Sequence, residues 1–102
     1  MDDCPPDPAP PEGSLSREFT LTNKKGLHAR ASARFVQTVE QFDAEVKVMR
    51  CGEIVGGDSI MSLLTLAVPF GSKIRVSARG RDAKAALDAL EKLLAERFGE
   101  ED

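Results

Sequence analysis

Tryptophan and tyrosine are absent from this chain, histidine occurs once and cysteine twice. Five phenylalanines are its only aromatic rings, which leaves few platforms on which nucleotide bases could stack. Acidic residues outnumber basic ones by 17 to 14, a formal net charge of −3, so no broad electrostatic grip on nucleic acid is expected. No apolar run approaches the roughly 20 residues that a membrane span needs. The most apolar stretch, residues 60–70, is interrupted by Ser62, Thr65 and Pro69. One histidine and two distant cysteines cannot assemble a zinc site, and no metal or other cofactor is expected. The opening residues, Met1-Asp2-Asp3-Cys4-Pro5-Pro6, lack the basic segment and apolar core of an export signal. Cys4 and Cys51 are too few for a disulfide framework, so free thiols in a reducing cytoplasm are expected.

What is present suits one small α+β domain. The 102 residues, 41% of them hydrophobic, can bury one modest core. Residues 1–16 hold five of the six prolines with Asp2, Asp3, Asp7 and Glu12, and read as a flexible tail; the domain is expected over 17–102. Alternation predicts strands over 17–23, 44–50, 54–56 and 73–79, the second and third joined as a hairpin at Cys51-Gly52-Glu53. On the fourth, Ile74, Val76 and Ala78 should face inward and Lys73, Arg75, Ser77 and Arg79 outward. Apolar spacing predicts helices from Ala29 to Gln41, from Ile60 to about Ala67 after caps at Asp58 and Ser59, and from an Asp82 cap through Phe98 to a stop at Gly99. The order βαββαβα places three amphipathic helices on one face of a four-stranded antiparallel sheet.

The single histidine, His28, falls at the start of the first helix, just behind Gly26. A helix N-terminus offers unpaired N–H groups and the positive end of the macrodipole, so the backbone of Ala29 and Arg30 is a candidate phosphate-binding site. Lys24, Lys25, Arg30 and Arg34 make a formal +4 between residues 24 and 34 with no acid among them. A neutral imidazole beside such a site suggests phosphohistidine chemistry. Arg30, whose planar guanidinium can bond two phosphoryl oxygens, is the candidate stabilising group.

Gly26-Leu27-His28-Ala29-Arg30 resembles the active-site signature of the HPr family, the histidine-containing phosphocarriers of the bacterial phosphoenolpyruvate-dependent phosphotransferase system. Ser59-Ile60-Met61-Ser62-Leu63-Leu64 resembles that family's regulatory serine and the short helix after it. The resemblance implies an open-faced β-sandwich and a monomeric carrier rather than an enzyme. It implies that His28 takes phosphate on Nδ1 from enzyme I, which is charged by phosphoenolpyruvate, and passes it to an enzyme IIA-type protein. It further implies phosphorylation of Ser59 by HPr kinase/phosphorylase, and exposure of Met61 to partner enzymes. Ala33, Gln37, Ile60, Met61 and Leu64 are the docking residues expected to continue the face of His28 and Arg30. Ala31 stands where proline is commonest in the family. A proline in a first helical turn loses no hydrogen bond and pre-sets φ, so its replacement should cost rigidity rather than the site. Sugar-transport and nitrogen-related branches both stay open. The rival reading is a non-carrier regulatory module switched at Ser59, with His28 incidental.

Overall fold

The computed structural model describes residues 4–100; Asp2 and Asp3 of the acidic tail lie outside the described residues. Its strands are β1 (Leu15–Thr20), β2 (Glu45–Arg50), β3 (Glu53–Gly56) and β4 (Lys73–Arg79). They form one antiparallel sheet in the order β1-β4-β2-β3. Helices α1 (Ala29–Val39), α2 (Ile60–Leu66) and α3 (Ala83–Ala95) cover one face, and a 3₁₀ turn, Arg97–Gly99, follows α3. None of the helices among the described residues is long and apolar enough to cross a membrane.

Strand register explains the layering. Phe19 lies opposite Ile74, and Val48 opposite Val76, so the alternating apolar residues of three strands share one face. That face is sealed by Phe35 and Val36 of α1, Leu63 of α2, and Leu87 and Leu90 of α3. Each such side chain contributes about 1.5–3 kcal/mol on full burial, far more than any exposed ion pair at the sheet edge. The expected βαββαβα architecture is therefore the observed one, with α1 and α2 each ending one or two residues early.

Three local expectations are corrected. β1 begins at Leu15 rather than Arg17 and ends at Thr20, although Leu21 still exchanges backbone hydrogen bonds with Gly71 and Ser72. Asp82 occupies the N-cap position of α3 without capping it. Its Oδ2 instead accepts from the Asp43 amide at 2.8 Å, while the Asp82 amide donates to Asp43 O, tying two loops together. Finally, α3 stops at Ala95. Arg97 and Phe98 adopt left-handed φ of 54° and 57°, which buries Phe98 (1% exposed) by a turn rather than by a further helical step.

The N-terminal segment differs most from expectation. Cys4 and Cys51 form a disulfide, so the expected free thiols are not observed. Asp7 Oδ1 accepts from the Gly52 amide at 3.3 Å, and Arg79 Nη1 donates to Glu12 O at 3.5 Å. Gly52 lies just beyond the end of β2, and Arg79 is opposite Glu45 at its start. The intervening residues therefore connect the two ends of β2, over a span that a proline-rich, extended segment reaches at about 3.1 Å per residue. On the outer face of the sheet Met49 is fully buried and Ser77 is 1% exposed, although Ser77 was expected outward in solvent. The segment is a strap rather than a loose tail.

Reduction of the disulfide, or Cys51→Ser, is expected to release the strap and lower stability by about 2–4 kcal/mol, nearer the lower figure because the freed segment regains entropy. Denaturant melts with and without reductant measure this. Identical midpoints would show that the bond constrains nothing.

Candidate functional site

The site starts from a backbone corner. The Gly26 amide donates to Asn23 O, and Asn23 Nδ2 returns a 2.7 Å bond to Gly26 O. Gly26 has φ +64°, and a Cβ there would stand 2.3 Å from Val68 O and 2.9 Å from Pro69. Only glycine fits both conditions. The next amide, Leu27, donates to Val68 O at 2.8 Å, and its side chain is buried. The chain thus leaves the corner in one direction, and His28, extended at φ −77°, ψ −176°, becomes the N-cap of α1. Ser32 fastens the first turn from inside, its amide bonded to His28 O and its hydroxyl to Leu27 O.

The imidazole is held on both sides. Arg30 N donates to Nδ1 at 3.3 Å, and Nε2 lies 2.5 Å from Glu100 Oε2. An amide can only donate, so Nδ1 presents a lone pair; in the neutral ring the hydrogen is then on Nε2, donated to the carboxylate. Asn23 Nδ2 donates to the other oxygen of Glu100 at 3.2 Å. The Glu100 side chain is 13% exposed. Burial pushes its carboxyl up, but hydrogen bonds from His28 and Asn23 and electrostatic attraction to His28 and Lys25 outweigh this and hold it below the ordinary glutamate range.

His28 and Glu100 border an open cleft of about 510 Å³ that Lys24, Lys25, Ala29, Arg30 and Arg34 also line. Four cations therefore surround one acid. The Arg30 side chain is exposed and makes no hydrogen bond or ion pair among the described residues, so its guanidinium is unoccupied. Ala31, fully buried, packs into the core behind this turn. A dianion with three terminal oxygens suits this cleft better than a planar or apolar ligand. No group of three or more His, Cys, Asp or Glu among the described residues could hold a metal ion.

The second motif folds as a separate unit. Ser59 is the N-cap of α2, its hydroxyl accepting from Ser62 N at 3.2 Å. Met61 is 72% and Ile60 38% exposed, Leu64 is half-buried, and Leu63 and Leu66 turn into the core. Gln37 is exposed and Ala33 half-buried on α1, which packs against α2. Glu100 is the site residue that sequence reasoning missed. It lies 72 residues from His28, past the end of the helical periodicity, and only the left-handed turn through Phe98 and Gly99 brings it back.

Comparison with known proteins places these features in a family. The family model described as "PTS HPr component phosphorylation site" matches residues 15–96. The phosphocarrier protein HPr of Cupriavidus necator is 45% identical over 86 residues, 84% of this chain and 97% of that protein. The multiphosphoryl transfer protein of Haemophilus influenzae is 38% identical over 92 residues, 87% of this chain but 18% of that longer protein. The crystal structure of HPr from Thermoanaerobacter tengcongensis superimposes with a TM-score of 0.83 at 38% identity, covering 86% of this chain and 99% of that one.

Because the Glu100 carboxyl lies below its ordinary value, its pairing stabilises the fold above the ordinary glutamate range and is lost as pH falls through the lowered pKa. Carbon-13 titration of the Glu100 carboxyl should give a midpoint below the ordinary glutamate value of 4.5, and His28→Ala should move it upward. A midpoint insensitive to His28→Ala would mean that the imidazole does not hold this carboxylate.

Proposed function

This chain belongs to the HPr family, phosphocarriers of the phosphotransferase system, and is a carrier rather than an enzyme; from that premise we propose that His28 is the residue that takes the phosphoryl group. The observation that carries this reading is the Nδ1 lone pair, held at the N-terminus of α1 and facing a cleft with four cations. Phosphate bonded to Nδ1 would take over the Arg30 amide that Nδ1 now accepts, and the Ala29 amide and the Arg30 guanidinium are available for its other oxygens. The same exposure that admits a donor admits an acceptor, as a reversible carrier requires.

The donor is enzyme I, charged by phosphoenolpyruvate, and the acceptor is an enzyme IIA-type protein, with this chain acting as a monomer in the cytoplasm. A reducing cytoplasm would hold Cys4 and Cys51 as thiols. Partners dock on the face formed by Ala33 and Gln37 of α1 with Ile60, Met61 and Leu64 of α2. A small apolar centre with a cationic margin gives fast, steered encounter and fast release. The multiphosphoryl relative, in which a matching segment is a minor part of a longer chain, supports a place in a multistep phosphoryl relay.

Incubation of the protein with phosphoenolpyruvate, magnesium and its cognate enzyme I should give an acid-labile, base-stable phosphate, absent in His28→Ala and much slower to form in Arg30→Ala. A wild-type protein that stays unlabelled under these conditions ends the carrier reading.

Ser59 is assigned as a regulatory phosphorylation site for an HPr kinase/phosphorylase. Its hydroxyl caps α2 beside exposed Ile60 and Met61, so a phosphate there would add about −1.5 to −2 charge to the apolar centre of the docking face. Incubation with ATP and the kinase should place an acid-stable phosphate on Ser59 by mass spectrometry and slow His28 labelling. Phosphate found elsewhere, or none, removes the switch.

A further inference from the structure

The carboxylate behind His28 is delivered by a specific turn. After α3 the backbone takes three consecutive left-handed conformations, at Arg97, Phe98 and Gly99. For the two non-glycine residues this conformation is strained, and the burial of Phe98 works against that strain. The Gly99 amide bonds Glu96 O and the Glu100 amide bonds Arg97 O, closing the hook. At its tip Glu100 is gripped through both oxygens, one by Asn23 and one by His28. Asn23 also holds Gly26 O, so one buried side chain fixes both the corner that aims His28 and the carboxylate behind it.

We propose that Glu100 is a positioning residue for phosphoryl transfer: its carboxylate keeps the ring hydrogen on Nε2, so that Nδ1 is the nucleophile, and stabilises the positive charge the ring acquires. The inference rests on the reading of His28 as the acceptor. As the Nδ1 lone pair forms the bond to phosphorus, the bond from phosphorus to the donor breaks and its electron pair leaves with the donor. The Nε2 hydrogen stays in place, so the ring becomes a phosphorylated imidazolium with Glu100 as its counter-ion. In the onward step a lone pair of the acceptor's histidine forms the new bond to phosphorus, the nitrogen–phosphorus pair returns to Nδ1, and neutral imidazole departs with its hydrogen still on Nε2. No proton is exchanged with solvent in either direction, and no oxidation occurs. A carboxylate at this place assists both directions, because both pass through a ring more positive than the resting one. It also lies on the far side of the ring from the incoming phosphate, where its own negative charge repels least.

The test uses Glu100→Gln in the full chain, which keeps size and hydrogen-bonding capacity and removes the charge. Three measurements are made on wild type and variant: single-turnover labelling by phosphorylated enzyme I, imidazole nitrogen-15 shifts of the neutral ring, and a thermal melt. The expected result is labelling slowed about tenfold, the difference between a charged and a neutral hydrogen bond, with a shift away from the Nε2–H tautomer and a retained melt. Glu100→Asp should recover part of the rate if charge is what matters. Wild-type rate and tautomer in Glu100→Gln would overturn the proposal while leaving His28 as acceptor. A slowed rate with an unchanged tautomer and a lowered melt would also overturn it, assigning Glu100 to anchoring the hook. Failure of wild type to label would instead remove the His28 reading on which the proposal rests.

Discussion

The site depends on a close approach of two backbones. Gly26 passes so near Val68 and Pro69 that a side chain is excluded, and the Leu27 amide is bonded to Val68 O at the same crossing. This contact joins the loop before α1 to the loop after α2, and thereby sets where α1 begins. His28 is the N-cap because the chain has just been turned there; its ring meets the Arg30 amide because the cap geometry points it back along the first turn. The burial of Leu27, Ala31 and Ser32 beneath that turn keeps it from fraying. A functional side chain at the frayed end of a helix would otherwise be among the least fixed in a small domain.

Around this fixed point the electrostatics are uneven. The chain is acidic overall, yet its cleft gathers Lys24, Lys25, Arg30 and Arg34. Global repulsion of anions is weak at ordinary ionic strength because screening acts within about 8–10 Å, whereas the four cations line the same small cleft as His28. The local field therefore decides. A carrier also has to lose what it binds, and all four cations are exposed, which limits how tightly they hold a dianion.

The architecture was legible because it rests on short-range signals. Alternation over 73–79 and the apolar spacing from Ala83 to Leu94 each specify an element without reference to anything distant. Gly26 and His28 were legible as a break followed by a helix start, and Ser59 as a cap, for the same reason. Apart from the bounds of β1 and α3, the misses are long-range. Asp82 read as a cap, but the Asp43 amide, 39 residues away, competes for its carboxylate. Nothing local pairs Cys4 with Cys51, 47 residues apart. Ser77 was read as outward by alternation, yet it is 1% exposed, and alternation within one strand says nothing of what a distant segment covers. Glu100 combines both difficulties: its partner is distant, and the turn that delivers it breaks the helical period used to read the segment.

The family match spans residues 15–96, so the strap and the hook both fall outside it. The strap is tied at Gly52 and Arg79, at the two ends of β2; the hook ends inside the cleft, in contact with the imidazole. Within the matched region lie the Gly26 corner, the His28 cap with its imidazole, and the Arg30 guanidinium. Beyond it, the strap ties the N-terminal segment to the ends of β2, whereas the hook brings a carboxylate to Nε2 of the imidazole. The family model ends before Glu100, so the carboxylate at Nε2 is known from the geometry of this chain, as is the amide at Nδ1 of the same five-membered ring.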